Sequence, residues 1–177
     1  MKKIAALAVV ALAGAAASAD IAVIGPFPLS GAQEVPANAS PATGSAKITL
    51  DTATGAFTLD YSFSGLTGNV TVAHFHRNVA GVNGPAFYWL AAAGAPNNNP
   101  TTLMSPSLPT GVTAHTGSGT GIIPAADITN FLTGRVYINI HSTTFGGGEI
   151  RGQVVPAPAA LGLAGVAGVV ALRRRRA

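Results

Sequence analysis

The segment from Gly55 to Ser64 constrains the fold more than any other part of the chain. Phe57, Leu59, Tyr61 and Phe63 alternate with Thr58, Asp60, Ser62 and Ser64, a period of two that turns one face of a strand to a core and the other to water. Just upstream, Ala46, Ile48 and Leu50 alternate with Lys47, Thr49 and Asp51, and Thr52-Ala53-Thr54-Gly55 is a short, turn-prone connection. The two segments are expected to pair as a hairpin.

Further strands are predicted at Val70 to His76, Pro85 to Leu90, Arg135 to His141 and Glu149 to Val154, separated by glycine-rich turns such as Gly146-Gly147-Gly148. Short strands at this spacing indicate an all-β antiparallel sandwich or barrel. One short helix is predicted from Pro124 to Leu132, capping an edge of the sheets, because Pro124 suits a first helical turn and Gly134 an end. Ala91 to Gly111, rich in Asn and Pro, reads as a long loop, and Gly117-Ser118-Gly119-Thr120-Gly121 as a flexible strand or turn.

Both ends of the chain read as addresses. Residues 1–19 have the layout of a signal peptide, expected as a helix: Lys2 and Lys3, an apolar run, and Ala17-Ser18-Ala19 as a cleavage box, with Ala17 and Ala19 the small residues that mark it. Residues 156–177 carry Pro156 and Pro158, an uncharged run from Ala159 to Leu172, and then Arg173, Arg174, Arg175 and Arg176. The arginines are expected to stay on the cytoplasmic side. A helix from Ala157 to Leu172 would be about 24 Å long against an apolar core of about 30 Å, a marginal span. The expected domain is therefore 20–155, exported to the surface or outside the cell and held transiently in the inner membrane by a hydrophobic C-terminal helix.

Removing these ends changes the charge. The ten basic residues include six terminal ones, and only Lys47, Arg77, Arg135 and Arg151 remain beside all six acidic residues. A body carrying a net charge of about −2 has no nucleic-acid footprint, which needs clustered Lys and Arg. Cysteine is absent, so neither disulfides nor thiolate metal ligands are available.

Four ordered motifs carry a resemblance: Leu29-Ser30-Gly31-Ala32-Gln33-Glu34-Val35-Pro36, Ala73-His74-Phe75-His76, Asn139-Ile140-His141, and Gly147-Gly148-Glu149-Ile150-Arg151-Gly152-Gln153. Together, over Phe27 to Val155, they resemble the CHRD domain, a module that occurs in chordin and alone in bacterial exported proteins. The resemblance implies an extracellular all-β domain without an established catalytic activity. The fold is then expected to be Greek-key, immunoglobulin-like or superoxide-dismutase-like. The tail resembles the PEP-CTERM sorting signal, with Ala157 where that pattern has Glu, and this implies an exosortase-type processing protease as a partner.

His74 and His76 lie two apart on a predicted strand and share a face; His141, on another strand, could add a third imidazole. Three neutral imidazoles suit Zn²⁺ or Cu²⁺. The structural alternative is that these histidines donate to backbone carbonyls or to Glu149 and knit a polar sheet face. The His-x-His pattern after Gly65-Leu66-Thr67-Gly68 is similar to one in Cu/Zn superoxide dismutase, too locally to support an activity. His115 reads as a solvated loop residue.

Glu149 and Arg151 share one side of the last strand and could clamp a ligand, or be solvated. Phe87, Tyr88 and Trp89 could stack on sugar rings of an extracellular polysaccharide, although alternation sends Tyr88 opposite to the other two. No residue is singled out as catalytic: paired carboxylates, a serine elbow and a phosphate loop are all missing. The leading expectation is a structural or adhesive surface domain without a cofactor. The alternatives are a Zn or Cu site at the histidines, or a small oxidoreductase or hydrolase.

Overall fold

A computed structural model describes residues 20–91 and 103–156. The expected signal and sorting segments, with Ala17, Ala19, Pro158 and Arg173 to Arg176, lie outside the described residues. Among the described residues, nine strands and one α-helix follow in order: β1 (Ile21–Ser30), β2 (Thr43–Asp51), β3 (Ala56–Ser64), β4 (Val70–Arg77), β5 (Ala86–Ala91), β6 (Leu103–Leu108), β7 (His115–Ile122), α1 (Ala125–Leu132), β8 (Val136–Ser142) and β9 (Ile150–Gln153). The strands close into a barrel in the order β1-β2-β3-β7-β6-β5-β4-β8-β9. Among the described residues, no helix is long and apolar enough to cross a membrane.

The β2–β3 hairpin forms in the register that alternation demands, with Ile48 opposite Leu59 and Leu50 opposite Phe57. All four point into the barrel, while Lys47 and Asp60 meet outside at 3.4 Å. Ile24, Ile48, Leu59, Phe75, Leu90, Ile138 and Ile150 are central to one continuous core. α1 sits over one end. Its Phe131 is fully buried, edge-on to Phe75 with ring centroids 5.1 Å apart, and Arg77 holds Asp127 with two bonds of 2.6 and 2.7 Å.

Several expectations are corrected. The supposed loop Ala91 to Gly111 contains β6, whose Met104 and Leu108 are buried; Ser105, Pro106 and Ser107 between them erase the two-residue period. β5 and β6 pair in parallel, so the sheet is not wholly antiparallel. Of the two readings of Gly117 to Gly121, strand or turn, the strand holds, paired along its length with β3. The helix plugs a barrel end rather than a sheet edge, and Pro124 occupies its N-cap. His115 opens β7, half-buried beside Tyr61 at 5.9 Å, rather than lying in a loop.

β8 shows where the fold is unusual. All seven of its residues are buried. Val136, Ile138 and Ile140 face the core, so Tyr137, Asn139 and His141 are on the outer face, yet they too are shielded from water. That shielding comes from three connections laid over the outside of the barrel: Gly31 to Ala42, Asn78 to Pro85, and Thr143 to Gly148.

Candidate functional site

The register of β4 against β8 assembles the site. His74 pairs with Asn139, His76 with Tyr137 and Val72 with His141. His141 is thus one step diagonally from His74, on the same outer face. Ring centroids lie 4.6 Å apart for His74 and His76, 4.7 Å for His74 and His141, and 6.4 Å for His76 and His141. One ring nitrogen from each of the three falls within 4.8 Å of the others.

Two of the rings are fixed by backbone carbonyls. His76 Nδ1 donates to Gly84 O at 2.8 Å and His141 Nδ1 donates to Gly146 O at 2.9 Å. A carbonyl can only accept, so both protons are on Nδ1 and both Nε2 atoms carry lone pairs. His76 Nε2 is 2.7 Å from His74 Nδ1 and accepts a hydrogen bond from its N–H, whereas His141 Nε2 is buried without a partner. The expected alternative of bonds to backbone carbonyls and the convergence of the rings therefore hold together, because each ring has two nitrogens. Glu149 is not a histidine partner. Its Oε1 accepts from Ser40 Oγ at 2.7 Å, Thr67 N at 2.7 Å and Thr67 Oγ1 at 2.9 Å.

Burial dominates the electrostatics. It lowers the pKa of His74 to about 3, helped by the neighbouring His141 and His76, and it lowers those of His76 and His141 as well. All three rings are neutral at neutral pH, the state in which imidazole can donate a lone pair. Burial also pushes Glu149 up, but hydrogen bonds from Ser142, Thr67 and Ser40 outweigh it and keep the group a carboxylate.

The last strand departs from a solvated polar edge. Glu149 and Arg151 are 0 % and 1 % exposed, because the outer loops close over them. Arg151 Cζ stacks 3.4 Å from the Tyr137 ring centroid, and that ring stacks on His76 at 4.7 Å and 5°. The aromatic cluster is corrected too: a bulge in the β4–β5 ladder leaves both Phe87 and Tyr88 buried, and Trp89 alone stands outside, edge-on to His74 at 5.9 Å. His115 is on β7, which is not adjacent to β4 or β8.

Sequence reasoning did not single out Tyr137 or Asn139 as members of this cluster, nor the loop carbonyls of Gly84 and Gly146. The strand parity of β8 carried the signal for the first two, since His141, Asn139 and Tyr137 alternate with isoleucines.

No curated protein and no solved structure matches the chain. A family model described as the CHRD domain matches residues 26–154, most of the chain, from the bulge in β1 past the end of β9 and through all three histidines. The chain therefore belongs to the CHRD domain family.

Proposed function

We propose that this is an exported metal-binding domain that holds Zn²⁺ or Cu²⁺ through His74, His76 and His141. The observation that carries the reading is the buried, unpartnered Nε2 of His141, in a group whose three imidazoles each bring a ring nitrogen within 4.8 Å of the others. A buried acceptor without a donor costs about 1–3 kcal/mol; a metal ion would satisfy it, and a purely adhesive role leaves it unexplained. Two Zn–N bonds of about 2.05 Å at the tetrahedral angle separate their nitrogens by about 3.3 Å. The 2.7 Å between His74 Nδ1 and His76 Nε2 is a hydrogen-bond distance, so binding the ion would move the His74 proton to its Nε2 and open the pair by about 0.6 Å.

The carbonyls of Gly84 and Gly146 act as outer partners that fix the tautomers. Among the described residues the group contains no fourth His or carboxylate, so the metal would keep a position open to water or an exogenous ligand. The terminal segments would deliver the domain outside the cell, with the tail as a transient membrane contact and processing site. Trp89, the outward aromatic beside His74, is what remains of the suggested sugar-stacking surface.

The test is metal analysis of protein purified without an affinity tag, with melting curves before and after adding Zn²⁺ or Cu²⁺. One equivalent bound per chain is expected, with stabilisation of about 2.7 kcal/mol at a hundredfold excess over Kd, lost in His141→Ala. Absence of both metals together with an unchanged melting temperature would overturn the proposal.

A further inference from the structure

We propose that Arg151 is a positioning residue for His76: by pinning the Asn78 to Pro85 loop, it delivers the Gly84 carbonyl that keeps the His76 proton on Nδ1 and leaves Nε2 facing the cluster. This rests on the metal-binding reading for its purpose, though not for its geometry. Arg151 Nη2 donates to Val82 O at 2.9 Å and to Val79 O at 3.5 Å, and Nη1 donates to Asn83 Oδ1 at 3.2 Å. Three residues of one loop, Val79, Val82 and Asn83, are thereby gathered on a single guanidinium that is itself buried against Tyr137.

The next residue of that loop, Gly84, is held from the other side. Its N–H donates to Tyr137 Oη at 3.1 Å, and its carbonyl takes the His76 Nδ1–H. Tyr137 thus has Arg151 over its ring and His76 stacked parallel to it, so the ring spaces the clamp from the ligand. A bare charge could not do this. The planar fork reaches several carbonyls at once, which an ammonium on a flexible stem does not reproduce. His141 provides an internal control, because its proton goes to Gly146 on a different loop.

The experiment reads the imidazole tautomers of the metal-free protein by 15N shifts at mildly alkaline pH, and metal affinity by competition. In the unaltered chain, His76 and His141 are expected as single Nδ1–H tautomers. In Arg151→Lys, His76 is expected to become a tautomer mixture while His141 is unchanged, and Zn²⁺ or Cu²⁺ affinity is expected to fall about 10- to 100-fold. Tyr137→Phe keeps Arg151 and the stacked ring but removes the hydroxyl that holds Gly84; it should shift His76 in the same direction, and it serves if the arginine variant does not fold. A single Nδ1–H tautomer at His76 in both variants, or equal changes at His76 and His141, would overturn the proposal. Failure of the unaltered protein to bind metal would remove the proposed function while the tautomer readout still decides the role of Arg151.

Discussion

Glu34 shows how one side chain can be set against its own charge. It follows the short 3-10 turn Gly31–Gln33 and is 7 % exposed. Its Oε1 and Asn139 Oδ1 are both buried without partners and both crowd the α-carbon of Gly148, where a Cβ would sit 2.7 and 2.4 Å from them. Two acceptors cannot satisfy each other; a proton on Glu34 would let it donate. Burial accordingly raises the carboxyl from 4.5 to about 7, against the lowering influence of Arg151 and Asn139. Because the folded value is the higher one, the stabilising contribution is complete below about 4.5 and disappears as pH rises through about 7. Glu34→Gln, a permanent mimic of the neutral acid, is therefore expected to melt close to the unaltered protein at pH 4.5 and a few degrees higher at pH 8, on the order of what 1 kcal/mol moves a domain of this size. A pH-independent difference in melting temperature would refute this account. At this scale the sequence was partly legible. The parity of His74 and His76 is readable from two residues of spacing, but the carbonyls that fix their tautomers come from glycine turns whose path no side chain announces.

Single strands were legible only where their inner faces carried large side chains. β3 was unmistakable because Phe57, Leu59, Tyr61 and Phe63 are its inward row. β7 is its complement: Gly121 pairs with Phe57, Gly119 with Leu59 and Gly117 with Tyr61, so the inward row of β7 is glycine and carries no apolar period. The reason is space. A Cβ on Gly121 would lie 2.0 Å from Tyr88 Oη and 2.8 Å from Phe57 Cε1, and one on Gly119 would lie 2.5 Å from Pro106 O. Large rings from β3 and β5 fill the barrel beside β7, and the strand yields its own volume to them. Gly121→Ala is expected to destabilise by about 1–3 kcal/mol through overpacking, and Tyr88→Phe in the same chain should recover part of that loss by deleting the closest atom. Chemical denaturation of the four members of this double-mutant cycle checks it; strict additivity would show that the two groups do not compete for the same space. β1 escaped notice for a related reason, since its register shifts between Ile24 and Phe27 and breaks the alternation midway. β8 and β9 were read as strands, but the burial of their polar side was not legible, because nothing in a two-residue period tells a solvent-facing side from one roofed by loops.

At the scale of the molecule, closure replaces the disulfides that a cysteine-free chain lacks. A barrel has no free edge, so each strand is held on both sides, and one sector of its outside can be covered by loops without exposing the sheet. Composition and turn spacing pointed to a sandwich or a barrel but could not choose, since the choice depends on the parallel contact of β5 with β6, and parallel pairing leaves no local turn to read. The covered sector has a measurable consequence for the whole fold. His74, His76 and His141 all have folded pKa values below the ordinary 6.5, to about 3 for His74, because burial disfavours the charged ring. Protons then bind the unfolded chain more readily than the folded one between those limits, and stability that is complete above about 6.5 is lost as pH falls toward about 3. Glu34 slopes the opposite way between about 4.5 and 7, so the Glu34→Gln background isolates the histidines. In that background, metal-free protein is expected to lose melting temperature steadily on acidification below about 6.5. Protein loaded with Zn²⁺ or Cu²⁺ should start higher and fall more steeply, because the ion competes with protons for the same nitrogens. The two curves should meet in acid, and His141→Ala should make them coincide throughout. Parallel curves for loaded and free protein across the whole range would mean that whatever metal is bound is held away from these three rings.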